Sequence, residues 1–232
     1  MLRFAFVVSV LFAPLGAGGA DVEQTAKYVM EKTNAFRKAE GLAPVRPDRE
    51  LTSAAREFAR FLAKTGKIGH TADGRQPVER AAAQGYEHCI VSENLAYLYR
   101  SSGYEDEPLA ADMVEGWKKS PEHRKNMVDG AVTQTGVAIA RDEAGRYFGV
   151  QMFGRPRSEA IRFNVRNEAG RDVAYRMGDR QFNLPARTAR EHALCRPVEL
   201  IIQSFRARPR DGATYAVVRR GNSVAVTEQP PR

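Results

Sequence analysis

Within residues 69–123 the chain carries three separated polar sites whose side chains could do chemistry. They are His70 in Gly69-His70-Thr71, Glu93 in Ser92-Glu93-Asn94-Leu95-Ala96, and His123 in Ser120-Pro121-Glu122-His123. Two imidazoles and a carboxylate are the parts of a divalent metal site or of an acid/base site near neutral pH. Two imidazoles alone would hold a metal such as zinc weakly, with water completing the shell, because tight centres take three or four protein ligands. Glu93 is therefore pivotal, as a third ligand, an acceptor behind a ligand, or a base acting on a bound water. A purely structural reading stands beside these, with Glu93 satisfying buried donors and each histidine hydrogen-bonding across a cleft. No nucleophile pairs convincingly with the histidines. Ser92, next to Glu93 in a strand, points to the opposite face, and Ser120, just before Pro121, reads as a helix cap.

Secondary structure must gather these sites. Val22, Ala26, Val29, Met30 and Phe36 recur at helical spacing over residues 22–39, and Gly41 and Pro44 close that pattern. Asp48 caps a second helix with Leu51, Ala54, Ala55, Phe58, Phe61 and Leu62 on its apolar face. Pro77 opens a short helix ending at Gly85. Residues 89–98, around Glu93, are expected to be extended. Residues 108–119 read as a further helix, and Ser120-Pro121 starts the helical turn that carries His123. Residues 136–141 and 146–153 form a hairpin turning at Glu143-Ala144-Gly145. Helices first and strands later argue for an α+β layered unit. After Gly154-Arg155-Pro156, short alternating runs separated by turn residues read as a small all-β unit, a sandwich or open barrel, with a frayed end at residues 229–232.

Composition bounds the compartment and the partners. Arg3, the apolar run Phe4 to Ala13 and the small residues Ala17-Gly18-Gly19-Ala20 form a secretory signal, residues 1–20, cleaved after Ala20. That run is too short to span a bilayer, and no later segment is a transmembrane candidate. The expected location is secreted or periplasmic, where Cys89 and Cys195 suggest one disulfide. A second metal site of His88, Cys89, His192 and Cys195, brought together by contact between the domains, is the competing use of those residues. From residue 155 onward there are sixteen arginines, no lysine and eight acids, a net +8, whereas residues 21–154 carry a net −1. Arginine forks match carboxylates and phosphates, so the basic tail suits anionic envelope polymers or lipids. No nucleic-acid partner is expected.

The block from Asn34 to Gly154 resembles the CAP superfamily of cysteine-rich secretory, antigen-five and pathogenesis-related proteins, in its bacterial (SCP-like) branch. The matching pieces are Gly69-His70-Thr71 with Asp73-Gly74, the Ser92–Ala96 run, Trp117 with Ser120–Met127, Gly136-Val137-Ala138 and Val150–Gly154. The resemblance implies an α-β-α sandwich over residues 21–155, and the small β-rich, arginine-rich domain read over 156–232 lies beyond it. It also implies a surface cleft with two histidines and two acids, in which His70, Glu93 and His123 match three positions. The fourth, three residues after the family's tryptophan, is Ser120 here. Glu115 and Glu122 are the nearest substitutes, and neither is at the matching position. Similar proteins bind a divalent metal, often zinc, through the two histidines, and members are linked to sterol or lipid binding, proteolysis and defence. The expected function is a non-catalytic, extracytoplasmic module binding an unidentified cleft ligand or the envelope. The alternatives are a metal-dependent hydrolase of peptide or cell-wall substrates using Glu93, and lipid or sterol binding.

Overall fold

The computed structural model describes residues 19–230, so the expected signal segment lies almost wholly outside the described residues, as do Pro231 and Arg232. α1 (Val22–Ala39) starts where the Asp21 carboxylate accepts from the Glu23 and Gln24 N–H groups, two of the orphan donors of a helix start. A two-residue strand β1 (Arg46–Pro47) leads to Asp48, which caps α2 (Arg49–Thr65) through the Leu51 N–H. α2 ends at Gly66, whose φ of 67° is the left-handed conformation that glycine adopts without steric cost. α3 (Pro77–Ala83), β2 (His88–Leu98), α4 (Asp106–Lys119), α5 (Pro121–Met127), β3 (Gln134–Arg141) and β4 (Tyr147–Pro156) complete the first layered unit. α4 starts two residues before Pro108, which sits within its first turn, where its missing N–H costs nothing.

The strands form one sheet in the order β1-β3-β4-β2, with β4 antiparallel to both neighbours and β2 at an edge. One face packs on α1 and α4 through Val29, Leu109, Met113, Trp117, Ile139 and Phe153. The other packs on α2 and α3 through Leu51, Phe58, Ala81, Phe148, Val150 and Met152, giving an α-β-α sandwich. Gly136 sets how closely α2 lies on β3. A β-carbon there would sit 2.2 Å from the Leu51 carbonyl carbon and the Thr52 nitrogen.

The remaining strands are β5 (Ile161–Glu168), β6 (Val173–Met177), β7 (Arg180–Leu184), β8 (Ala189–Leu194), β9 (Leu200–Ile202), β10 (Phe205–Ala207), β11 (Thr214–Arg220) and β12 (Ser223–Gln229). They form two sheets, β12-β11-β5-β8 and β10-β9-β6-β7, around Phe163, Val165, Tyr175, Leu200, Ile202 and Tyr215. The all-β C-terminal region is thus a sandwich. Its strand β8 escapes the alternation test because Ala-Arg-Glu-His-Ala-Leu buries only His192. The expected fraying at residue 229 is not seen, since Gln229 pairs with Thr214.

The two regions are joined covalently by a Cys89–Cys195 disulfide, which excludes those thiols from the competing metal site. Beside it, Arg196 grips the Asp129 carboxylate with two bonds of 2.8 and 2.7 Å.

Candidate functional site: a histidine cleft backed by a buried ion network

Three elements bring the sequence motifs together. His70 lies in the turn between α2 and α3, Glu93 in the middle of β2, and His123 on α5. Neighbouring residues of β2 serve opposite faces, as strand alternation requires. Glu93 faces α3, while Asn94 holds α5 by donating to the His123 carbonyl at 3.1 Å. Asn126 returns the contact, donating to the Glu93 carbonyl at 3.1 Å and to Asn94 Oδ1 at 2.9 Å. Trp117 Nε1 donates to the Leu95 carbonyl at 2.8 Å and locks α4 to the same strand.

The Glu93 carboxylate is fully enclosed. Both oxygens accept from Arg80 Nη2, at 2.9 and 2.8 Å, and Oε1 also meets His70 Nδ1 at 2.8 Å. Arg80 is itself 1% exposed, lies 3.6 Å over the Phe58 ring, and donates to Asp73 Oδ1 and to the carbonyls of Arg75 and His70, each at 2.8 Å. Burial alone would push the Asp73 carboxyl up. The Arg75 N–H and the Arg80 and Arg75 guanidinium groups outweigh it, and its pKa falls below the ordinary value. Removing one partner of such a buried network strands the others and costs about 3–5 kcal/mol.

This network orients His70. With Nδ1 donating to a carboxylate, the neutral ring carries its proton there and keeps the Nε2 lone pair free. The side chain is 49% exposed, so Nε2 is open to a ligand. The His123 ring faces it with centroids 6.5 Å apart. Burial, followed by the neighbouring His70, lowers the His123 pKa against the opposing pull of Glu122, which favours a neutral imidazole at pH 7.

Ser120 starts α5, but only its carbonyl caps, accepting from the Arg124 N–H at 2.8 Å. Its hydroxyl makes no cap bond, contrary to the expected side-chain cap, and lines a groove with His123. Glu115 is exposed and paired with Lys118, and Glu122 is exposed on α5. The Ser92 hydroxyl is buried without a partner, on the strand face away from Glu93. His88 is exposed, while His192 is buried with Nε2 2.7 Å from the Tyr175 hydroxyl.

The donor set limits how a divalent metal could be held. Among the described residues no group of three or more histidine, cysteine or acidic side chains is placed to hold one. Glu93 is fully buried and both its oxygens are hydrogen-bonded, to Arg80 and His70. The residues therefore fit a two-imidazole, exchangeable site and do not fit the three-ligand centre of a zinc hydrolase.

Sequence reasoning missed Arg80 and the inward role of Asp73. An arginine beside Glu79 on a short helix reads as solvent-facing, and Asp73-Gly74 reads as a turn. No signal in the sequence marked Arg80: of its alanine neighbours only Ala81 is buried, while Ala82 and Ala83 are exposed.

Comparisons with known proteins agree with this geometry. The profile of the Cysteine-rich secretory protein family, CAP, matches residues 30–153, more than half of the chain. A curated relative, described as Uncharacterized protein YkwD from Bacillus subtilis (strain 168), is 26% identical over 137 residues, covering 59% of this chain and 49% of its own length. The chain thus spans about half the length of that relative. An outer surface protein from Borrelia burgdorferi shares the fold with a TM-score of 0.53 at 21% identity, over 60% of this chain and 98% of that one. An SCP-domain extracellular protein from Bacillus anthracis str. Ames aligns with a TM-score of 0.49 at 21% identity, over 58% of this chain and 41% of that one. Because that profile covers more than half of its length, the chain belongs to the Cysteine-rich secretory protein (CAP) family.

Proposed function

We propose that this protein is an extracytoplasmic binding module whose cleft holds a ligand between His70 and His123 without turning it over. The carrying observation is that both Glu93 oxygens are engaged by a buried guanidinium. A general base must reach the proton it takes, and the Glu93 side chain, 0% exposed and held by Arg80 and His70, is closed off from a ligand in the cleft. Its part is to hold His70 in one tautomer, so that Nε2 meets the ligand. No hydrogen bond links Ser92 or Ser120 to either imidazole among the described residues, so no nucleophile–base pair is formed. The Cys89–Cys195 bond supports an oxidising, extracytoplasmic setting.

A divalent metal such as zinc at His70 and His123 would be weak and removable by chelator. A sterol or lipid is the other alternative, and the adjoining groove of about 280 Å³ has the apolar side chains Leu95, Leu98, Met113 and Trp117 along it. For the sandwich we propose contact with anionic envelope polymers. Arg180 and Arg190 flank the Phe182 ring at 5.7 and 5.6 Å, where β7 meets β8. Neither forms an ion pair among the described residues. That contact should weaken steeply with salt.

The test is incubation of the full chain with peptide and cell-wall substrates, with and without zinc. No turnover is expected. Reproducible turnover that His123→Ala abolishes would overturn the proposal.

A further inference from the structure

We infer that the outer edge of β2, next to His123, binds an extended peptide as an added strand. This rests on the cleft-binding reading and names its ligand class. β2 pairs only with β4, so its other edge has no strand beside it. In an antiparallel pair the main-chain groups of alternate residues point away from the partner. On β2 these belong to Glu93, Leu95 and Tyr97, because the carbonyls of Glu93 and Leu95 are taken by Asn126 and Trp117. Beyond that point the protection stops. The Leu95 N–H and both main-chain groups of Tyr97 have no partner among the described residues. Proteins usually blunt such edges with charge, proline or a covering element. Here the open stretch carries Tyr97 and Tyr99, 44% and 57% exposed, and tyrosine is a residue type enriched at interfaces.

The space alongside is large enough for an apolar side chain. The groove of about 280 Å³ runs between β2 and α4, against Leu95, Leu98, Met113 and Trp117, and reaches Ser120 and His123. It can take an apolar side chain of a ligand whose main chain lies outside. Strand addition has this form, with main-chain bonds supplying affinity and a side-chain pocket supplying selectivity. Gly116 opens the groove. No atom lies within 4 Å of where its β-carbon would be, although glycine inside a helix is about 1 kcal/mol less favourable than alanine.

Selection of random linear peptides on the full chain tests the inference. Enriched peptides should lose at least about tenfold in affinity, about 1.4 kcal/mol, on Gly116→Leu, which fills the groove. They should also lose binding when alternate peptide nitrogens are methylated, and they should slow amide exchange at Tyr97. The methylated peptides read the contact on the unaltered chain, so the test survives a poorly folding variant. Failure to enrich any peptide, or enriched peptides indifferent to both Gly116→Leu and methylation, would overturn it. So would a concentration-dependent dimer that Gly116→Leu abolishes, which would give the edge to a second copy of the chain. Parallel measurements on His70→Ala and His123→Ala separate the two readings. Groove-dependent binding that both variants retain supports the strand edge and removes the histidine cleft.

Discussion

His70 and His192 are the same residue type in two regions with opposite outcomes. His70 stands on a fully buried ion network of Arg80, Glu93 and Asp73, and half its side chain remains in solvent. His192 is 9% exposed, stacked on Phe163 with ring centroids 5.2 Å apart, and its Nε2 is used by the Tyr175 hydroxyl. The first is half exposed with Nε2 open beside a second imidazole, whereas the second is packed among Phe163, Tyr175 and Phe182 in the core. A histidine becomes a candidate ligand through what its second nitrogen faces, more than through its nearness to other polar residues.

The covalent link between the regions gives the largest expected effect. Replacing Cys89 and Cys195 by serine opens a loop with a sequence separation of 106 residues. Chain entropy puts the loss at up to about 4–5 kcal/mol. Urea denaturation of the double variant and of the reduced parent should agree. A loss below about 1 kcal/mol would show that contacts such as Arg196–Asp129, rather than the bond, hold the junction.

Next come the two histidine environments themselves. Arg80→Met should cost about 3–5 kcal/mol, because it strands the buried Glu93 and Asp73 carboxylates. It should also alter the His70 tautomer seen in nitrogen chemical shifts. His192→Phe should cost less, about 1–3 kcal/mol for an unpaired buried Tyr175 hydroxyl, and leave His70 unchanged. Equal effects of the two variants on His70 would break the distinction drawn between the regions.

These residues also mark how far the sequence could be read. The helices were legible because Asp21 and Asp48 are caps and apolar residues recur on one face. His70, Glu93 and His123 were legible through their motifs. Arg80 was not, because its burial depends on Asp73, Glu93 and the Phe58 ring, which only the fold brings together. Strand β8 was hidden for a related reason. Its one inward residue is a polar histidine, so the pattern that reveals β5 and β6 is missing. Ser120 was legible as the missing acid, but the free hydroxyl in the groove follows from how α4 passes into α5.

That missing acid sharpens the comparison from the ligand side. Ser120→Glu adds a carboxylate to the groove shared with His123 and raises the potential metal donors from two to three. Zinc affinity by calorimetry should rise about tenfold, or about 1.4 kcal/mol. An unchanged affinity would show that the position does not reach the space between the imidazoles.

The smallest expected effect is the response to mild acid, and it touches both regions in the same direction. Burial lowers the pKa of His123 and of His192 from the ordinary 6.5. His70 adds to the effect on His123 against Glu122, and Arg190 and Arg180 add to it on His192. In each case the folded chain favours the neutral ring. Above 6.5 neither state binds the proton and the full stability is present. As pH falls through 6.5 the unfolded chain takes up protons that the folded chain refuses, so stability declines until the lowered folded pKa is passed. This window lies above the one set by Asp73, Asp129 and Asp142, whose lowered values bring losses only as pH falls through 3.8 and below. Urea midpoints measured between those limits should therefore fall with acid. His192→Phe should remove the sandwich's share of that slope, and His123→Phe the cleft's share. A slope that survives both substitutions would place the titrating group elsewhere in the molecule.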